Sequence, residues 1–289
     1  MKRRRINECP IFTNIAIEIG AQCNRKCWFC PNAYNERPNA YLSNKLINKI
    51  LSDLRRVNYN RRIILYIYNE PFLDERLLWI IKECRRIVPR STIMIATNGD
   101  KVKSKDQFQD LFDAGLNQLQ INVYSNEKRY LKLNDIIQKT TTKEGNVYIN
   151  TSPRKQLYSI ERKFGKNVTS EFLKIGKYQL SNRCGHIPSL PVPNEPLIKS
   201  CIRPFNSMQI NWKGQAIICC NDYNAEVVYG DVSSNSIFDI WLSNKMMSIR
   251  KKLYHADRNI NLCRTCDYRG GSYIHFILKN WEPILGNRN

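Results

Sequence analysis

Histidine is nearly missing from this chain of 289 residues: there are three, and none precedes His186. That argues against a mixed cysteine–histidine zinc site in the first half, and no second Cys-x2-Cys knuckle lies there either. No apolar run reaches the roughly 18 residues a membrane-crossing helix needs. Met1 to Arg5 carries the charge of a signal-peptide start, but no uninterrupted apolar stretch follows. Acidic residues are few, 25 against 46 Lys and Arg, for a net charge of +21. The basic pairs Arg55-Arg56, Arg61-Arg62 and Arg85-Arg86 are dispersed and form no block interleaved with aromatics. A solvated basic surface is therefore favoured over a nucleic-acid stripe. No internal repeat or long low-complexity tract stands out. A cytoplasmic globular chain is expected, with one large α/β domain and a small appendage.

Cysteine, in contrast, is plentiful. Eleven in a cytoplasmic chain suggest metal rather than disulfides. Three fall within eight residues: Cys23-Asn24-Arg25-Lys26-Cys27-Trp28-Phe29-Cys30. A turn of that size can bring three thiolates to one face of an iron–sulfur cube, leaving the fourth iron without a local protein ligand. The rival readings are a zinc site or a set of core thiols.

Strand and helix signals alternate through the first half, which argues for βα units and a parallel sheet. Strands are expected near 14–19, 62–68, 92–96, 118–123 and 147–150. Ser43 is placed to cap a helix reaching about Val57, with Leu46, Ile47, Ile50, Leu51 and Leu54 on one face. Further helices are expected near 74–87, with Cys84 in the core, and 108–114. A sixth strand has no clear place between Val168 and Leu180.

The Cys-x3-Cys-x-aromatic-Cys pattern, with Phe29 in the aromatic slot after a strand, resembles the signature of the radical S-adenosylmethionine (radical SAM) family. The resemblance implies a partial (β/α)6 barrel and a [4Fe–4S] cluster on Cys23, Cys27 and Cys30. Its open iron would bind the amino and carboxylate groups of S-adenosylmethionine. Reductive cleavage would then yield a 5′-deoxyadenosyl radical that abstracts hydrogen from a C–H bond. The electron would come from an external flavodoxin- or ferredoxin-type donor. Asn69-Glu70-Pro71 stands where the family usually has Gly-Gly-Glu-Pro, which assigns Glu70 to the methionine amino group. Tyr68 and Asn69 replace the glycines. Thr97-Asn98-Gly99 resembles a family triplet near the cofactor, and reads equally as an Asn-Gly turn. Ser125 stands where relatives place a hydroxyl near the ribose or methionine, and reads equally as a helix N-cap.

From Thr151 to about Ser200 the signals weaken. Ser181-Asn182-Arg183-Cys184-Gly185 is a polar break, and Arg183 is read as a salt-bridged residue before a substrate contact or base. Pro188, Pro191, Pro193 and Pro196 mark an extended linker over 187–199. This divides the chain into a core, 1–199, and a second module, 200–289. There, 208–212 and 215–220 read as a hairpin turning at Gly214, followed by a helical stretch holding Ile237, Ile240, Trp241, Met247 and Ile249.

The spacing Cys201-x12-Gly214-x4-Cys219, with the knuckle Cys263-Arg264-Thr265-Cys266, resembles the twitch module, a truncated relative of the SPASM domain. The resemblance implies a second, auxiliary [4Fe–4S] cluster on Cys201, Cys219, Cys263 and Cys266. A structural zinc site is the rival. Cys220 would face the other way from Cys219. A cluster with four protein ligands can accept an electron from a substrate radical. That suits oxidation of a sugar-like small molecule or modification of a peptide side chain. The lack of a leader-gripping N-terminal domain favours the small molecule or a separately encoded recognition partner. The alternatives are a radical SAM enzyme acting on RNA and a non-catalytic zinc and nucleic-acid-binding protein.

Overall fold

A computed structural model describes residues 9–124, 127–140, 145–151, 157–164, 171–175, 180–270 and 273–286. The architecture is α/β. Five strands run parallel in sequence order: β1 (Asn14–Ile17), β2 (Arg62–Ile64), β3 (Thr92–Thr97), β4 (Gln118–Val123) and β5 (Gly145–Thr151). Helices α1 (Asn44–Arg56), α2 (Leu77–Ile87), α3 (Lys105–Asp113) and α4 (Glu127–Lys139) connect them. Each helix packs by its sequence. In α1, Ile47, Ile50, Leu51 and Leu54 are buried, and Ser43 Oγ accepts from Leu46 N at 3.2 Å. In α2, Cys84 is fully buried, as expected of a core thiol.

The first two strands are shorter than the sequence suggests. β2 ends because the chain folds into a local turn, where Asn69 Oδ1 accepts from Ile67 N at 3.2 Å. Tyr68 N then donates to Glu18 Oε1 at 3.0 Å, leaving the ladder. Beyond β1, Glu18 N still pairs with Ile210 O, and Leu42 N with Ile19 O.

After β5 the pattern changes. β6 (Leu157–Phe164) and β7 (Glu171–Ile175) add as antiparallel strands, so the stretch that hid a sixth strand contributes β7 instead. The next parallel strand lies at the opposite edge. β8 (Ser207–Ile210) pairs with β1 from Asn14↔Ser207 to Ile17↔Ile210. β9 (Gln215–Ile217) and β10 (Val228–Asp231) follow it antiparallel. The described strands thus form one sheet, in the order β10-β9-β8-β1-β2-β3-β4-β5-β6-β7. The β8–β9 turn needs Gly214: its φ is +86°, and a Cβ there would meet Leu46 at 3.0 Å.

The small C-terminal helices are α5 (Arg203–Asn206), α6 (Ile237–Trp241), α7 (Asn244–Tyr254), α8 (Ile274–Lys279) and α9 (Glu282–Leu285). The single helical stretch expected near 237–249 is broken into α6 and α7, because Ser243 caps a new helix by accepting from Met246 N. Buried Arg250 of α7 fixes this corner. Its guanidinium lies 3.8 Å from the Trp241 ring and 4.4 Å from the Trp281 ring. It also donates to Pro204 O and Trp241 O.

Candidate active site

The first cysteine loop leaves the C-terminal end of β1, the end where parallel α/β folds place their sites. Cys23, Cys27 and Cys30 are all half-buried. The loop closes on itself through Cys30 N to Cys27 O, 2.9 Å, and then enters the turn Pro31–Ala33. It is anchored across the sheet. Arg25 makes a two-pronged pair with Asp100, 2.6 Å on each arm, and Asn24 Nδ2 donates to the same carboxylate at 3.0 Å. Backbone N–H groups of Arg25 and Asn32 point at the sulfurs of Cys23 and Cys30. Burial, ahead of neighbouring charge, pushes the Cys23 thiol up to about 11 and raises Cys27 and Cys30 as well. Such thiols give up their protons when a metal takes their place.

The three cysteines line one wall of a cavity of about 600 Å³, and Phe29, Asn69, Glu70, Thr97 and Asn98 line it too. Phe29 packs on Tyr124, with ring centroids 5.2 Å apart. Neither Tyr68 nor Asn69 is among the residues with left-handed backbone, so the turn after β2 does not need the two glycines the resemblance led us to expect. Glu70 is buried and its carboxylate is well supplied with donors. Oε1 accepts from Thr97 Oγ1 at 2.7 Å and Phe72 N at 3.1 Å, and Oε2 accepts from Asn98 N at 2.8 Å. Asn98 Nδ2 reaches Asn24 Oδ1 at 2.9 Å and Cys23 Sγ at 3.8 Å. Gly99 turns the chain at φ +76°, and the two residues before it, Thr97 and Asn98, line the cavity. Ser125 lies outside the described residues.

Several cavity-lining groups are buried and unpartnered among the described residues: Asn69 Nδ2, the Tyr68 hydroxyl, Gln209 Oε1 and Arg203 Nη1. Buried polar atoms ordinarily find partners, so these four mark places for a polar ligand. With three thiols on one wall, this donor set fits an iron–sulfur cluster carrying S-adenosylmethionine.

None of the second cysteine set lines this cavity, though their neighbours Cys220 and Arg203 do. Cys201, Cys219, Cys263 and Cys266 are all buried. Cys219 lies just past β9, and Asn221 N donates to its sulfur at 3.4 Å. Cys266 Sγ accepts from Tyr268 N at 3.4 Å and from Asn221 Nδ2 at 3.9 Å. Burial raises the Cys201 and Cys219 thiols, and positive charge from Arg203, joined at Cys201 by Arg258, opposes it. Among the described residues, no three Cys, His, Asp or Glu side chains converge tightly enough to chelate a single ion. An all-sulfur set with N–H donors around it fits an iron–sulfur cluster.

Sequence reasoning left Cys184 as a lone cysteine; it is buried, 7 % exposed, and lies within electrostatic reach of Cys219, Cys263 and Cys266. No spacing rule could have paired it with residues some eighty positions away. Cys220, beyond the end of β9 like Cys219, lines the cavity, whereas Cys219 does not.

Two links tie the sets together. Arg183, in left-handed conformation at φ +51°, lines the cavity and donates from Nη1 to Asn221 Oδ1 at 3.1 Å. Tyr223 donates to Asn32 Oδ1 at 2.8 Å, beside Cys30's turn. Arg37 pairs with buried Glu18 at 2.6 Å, stacks 4.1 Å over the Tyr223 ring and donates to Tyr223 O. His186, the nearest histidine, faces Glu226 at 3.2 Å. Among the described residues no helix is long and apolar enough to cross a membrane.

This geometry agrees with what known proteins share with the chain. The family model for the radical SAM superfamily matches residues 17–144. A second model, SPASM, an iron–sulfur cluster-binding domain, matches residues 201–267. A curated relative, the S-adenosyl-L-methionine-dependent 2-deoxy-scyllo-inosamine dehydrogenase of Niallia circulans, is 27% identical over 259 residues. The alignment covers 89% of this chain and 93% of that protein. The crystal structure of BtrN in complex with AdoMet and 2-DOIA superposes with a TM-score of 0.73 at 25% identity, covering 90% of this chain and 94% of that one. Native anSMEcpe with bound AdoMet shares the fold alone, with a TM-score of 0.51 at 10% identity over 93% and 96% of the two chains. These matches favour neither the RNA-modifying nor the zinc and nucleic-acid-binding reading. The protein is an oxidoreductase that uses a [4Fe–4S] cluster with S-adenosylmethionine and a second, auxiliary cluster. Residues 17–144 match the radical SAM superfamily and residues 201–267 form a SPASM-type module.

Proposed function

We propose that the chain is a dehydrogenase that oxidises a secondary alcohol of a sugar-like cyclitol or aminocyclitol to the ketone. One observation carries this reading: a single cavity is lined by Cys23, Cys27 and Cys30 and also by Cys220 and Arg183, neighbours in sequence of Cys219 and Cys184. Likeness to the Niallia dehydrogenase along most of both chains supports it. Cys23, Cys27 and Cys30 would hold the first cluster, and Cys201, Cys219, Cys263 and Cys266 the auxiliary one. When bound, the clusters and S-adenosylmethionine supply a hydrogen-abstracting 5′-deoxyadenosyl radical and an acceptor for the substrate's remaining electron.

The chain's own residues bind and orient. Glu70 fixes Asn98 and Thr97, and so shapes the wall beside Cys23. Asn69 Nδ2 and the Tyr68 hydroxyl supply buried polar atoms to S-adenosylmethionine. Phe29 and Tyr124 exclude water from its flank. Arg183 lies where a substrate hydroxyl would reach the auxiliary side. Overall, the alcohol and S-adenosylmethionine become ketone, 5′-deoxyadenosine, methionine and one proton. The balance needs no net electron, only a priming one from a flavodoxin- or ferredoxin-type donor.

Anaerobic incubation of reconstituted protein with a reductant, S-adenosylmethionine and a panel of cyclitols, aminocyclitols and model peptides tests the proposal. A cyclitol ketone formed one-to-one with 5′-deoxyadenosine supports it. Oxidised or cross-linked peptide, with no cyclitol turned over, would replace it.

A further inference from the structure

The first cysteine loop has two faces. Cys23, Arg25, Cys27 and Phe29 line the cavity, whereas Asn24, Lys26 and Trp28 between them are exposed. Trp28 stands 51 % exposed, between Cys27 and Cys30. Tryptophan is highly buried on average, so an indole left in water at this point of the chain is unusual. It is held in place. Tyr34 Oη donates to Trp28 O at 2.6 Å, and the Phe29 ring meets the Trp28 ring edge-on at 5.7 Å. The outer face is also basic. The Arg25–Asp100 pair brings the turn 98–104 alongside the loop. Arg25 offsets the charge of Asp100, and Glu18 offsets that of Arg37. Of the remaining charges on 22–37 and 98–104, the exposed ones are Lys26, Lys101 and Lys103 against Glu36.

We propose that this outer face, Trp28 with Lys26, Lys101 and Lys103, is the docking surface for an acidic flavodoxin-type protein that delivers the priming electron. The inference rests on the reading that Cys23, Cys27 and Cys30 hold the first cluster. A donor seated on the indole then lies one residue along the chain from a cluster ligand. The lysines steer an acidic partner and speed the encounter. An exposed indole within a charged rim is the kind of side chain that carries binding energy at interfaces. Redox encounters bury less than about 1,200 Å², an area that a single aromatic anchor can serve. The flat ring also selects the donor: the exposed edge of a flavin gives the indole a planar partner to stack on, and an iron–sulfur carrier gives none. In the transfer one electron leaves the fully reduced flavin for the first cluster, and no bond forms or breaks.

Calorimetric titration of the anaerobically reconstituted full chain with oxidised flavodoxin reads docking without turnover. Wild type should bind, and less tightly as salt rises. Trp28→Ala should weaken binding about tenfold. Lys26→Glu, Lys101→Glu and Lys103→Glu combined should weaken it about as much and remove most of the salt dependence. A second readout compares 5′-deoxyadenosine formation driven by reduced flavodoxin with that driven by dithionite. Both variants should slow the first about tenfold and leave the second in place, with iron content unchanged. Equal flavodoxin binding by wild type and both variants would overturn the proposal. So would a parallel fall with dithionite, which would give Trp28 a role inside the site rather than on its outer face. Binding of ferredoxin but not flavodoxin, lost in the same variants, would overturn the choice of donor. If Trp28→Ala loses iron, the lysine variant decides by the same two readouts. No cyclitol enters either assay, so an error in the substrate reading leaves these outcomes unchanged. Failure of the cluster reading shows separately, as dithionite-driven cleavage surviving replacement of Cys23, Cys27 and Cys30 by alanine.

Discussion

Glu70 lies in the turn after β2 and Asn98 directly after β3, and the Glu70 carboxylate accepts the Asn98 backbone N–H at 2.8 Å. The same carboxylate takes the Thr97 hydroxyl, and Asn98 in turn touches Cys23. Glu70 thus acts from inside the cavity wall, holding the shape of the cysteine loop's neighbour. Glu70→Gln replaces an acceptor with an amide donor opposite a buried N–H. The expected cost is about 1–3 kcal/mol, and S-adenosylmethionine binding should weaken with it. Thermal melts and calorimetric titration check both. An unchanged melt would show that the hydrogen bonds to Glu70 are dispensable.

Asn69 gives the complementary case. Its Nδ2 is buried in the cavity lining without a partner among the described residues. Asn69→Ala should therefore leave the melting temperature nearly in place. It should weaken S-adenosylmethionine binding about tenfold, the equivalent of one hydrogen bond of roughly 1.4 kcal/mol. Equal binding by the variant would remove Asn69 from the cofactor contacts.

The Glu18–Arg37 pair is buried on both sides, with 1 % and 10 % side-chain exposure. Removing one partner strands a charge, so Arg37→Met should cost about 3–5 kcal/mol. Arg37 also carries Tyr223, which reaches Asn32 behind Cys30. The variant should therefore reconstitute poorly at both clusters, visible as lowered iron per chain. Full reconstitution would mean that the two loops hold their shape without this link.

Arg250 should matter for the C-terminal module alone. Its guanidinium is enclosed by two indoles and bonded to two carbonyls. Arg250→Ala removes two cation–π contacts and leaves buried acceptors unpaired, for an expected loss of about 3 kcal/mol. Differential scanning calorimetry of the variant should show the drop, while S-adenosylmethionine binding at the first site persists.

Local signals were legible in the sequence, and contacts across the chain were not. The loop from Cys23 to Cys30 could be read because its three thiols lie within one turn of each other. Gly214 and Ser43 could be read because a turn or a cap is decided by a few neighbouring residues. Strand ends were harder: β2 stops at Ile64 because Asn69 and Glu18 capture the backbone beyond it, and Glu18 lies far away in sequence, just past β1. The pairing of β1 with β8 joins residues 193 apart, and no periodicity announces it. Cys184 looked solitary because Thr265, which donates to its carbonyl, and Asp267, which holds Ser181 and Asn182, are distant in sequence.

The proposed chemistry needs two separate four-iron sites, the first of them on cysteines that line the cavity. Iron and sulfide analysis of anaerobically reconstituted protein, with a 5′-deoxyadenosine assay after reduction, tests it most directly. Wild type should hold about eight irons, and so should Cys220→Ala. The triple variant of Cys23, Cys27 and Cys30 to alanine should hold about four and make no 5′-deoxyadenosine. The double variant of Cys263 and Cys266 to alanine should also hold about four, yet still cleave S-adenosylmethionine. Cleavage surviving in the triple variant, or wild type holding four irons and one zinc, would contradict the account.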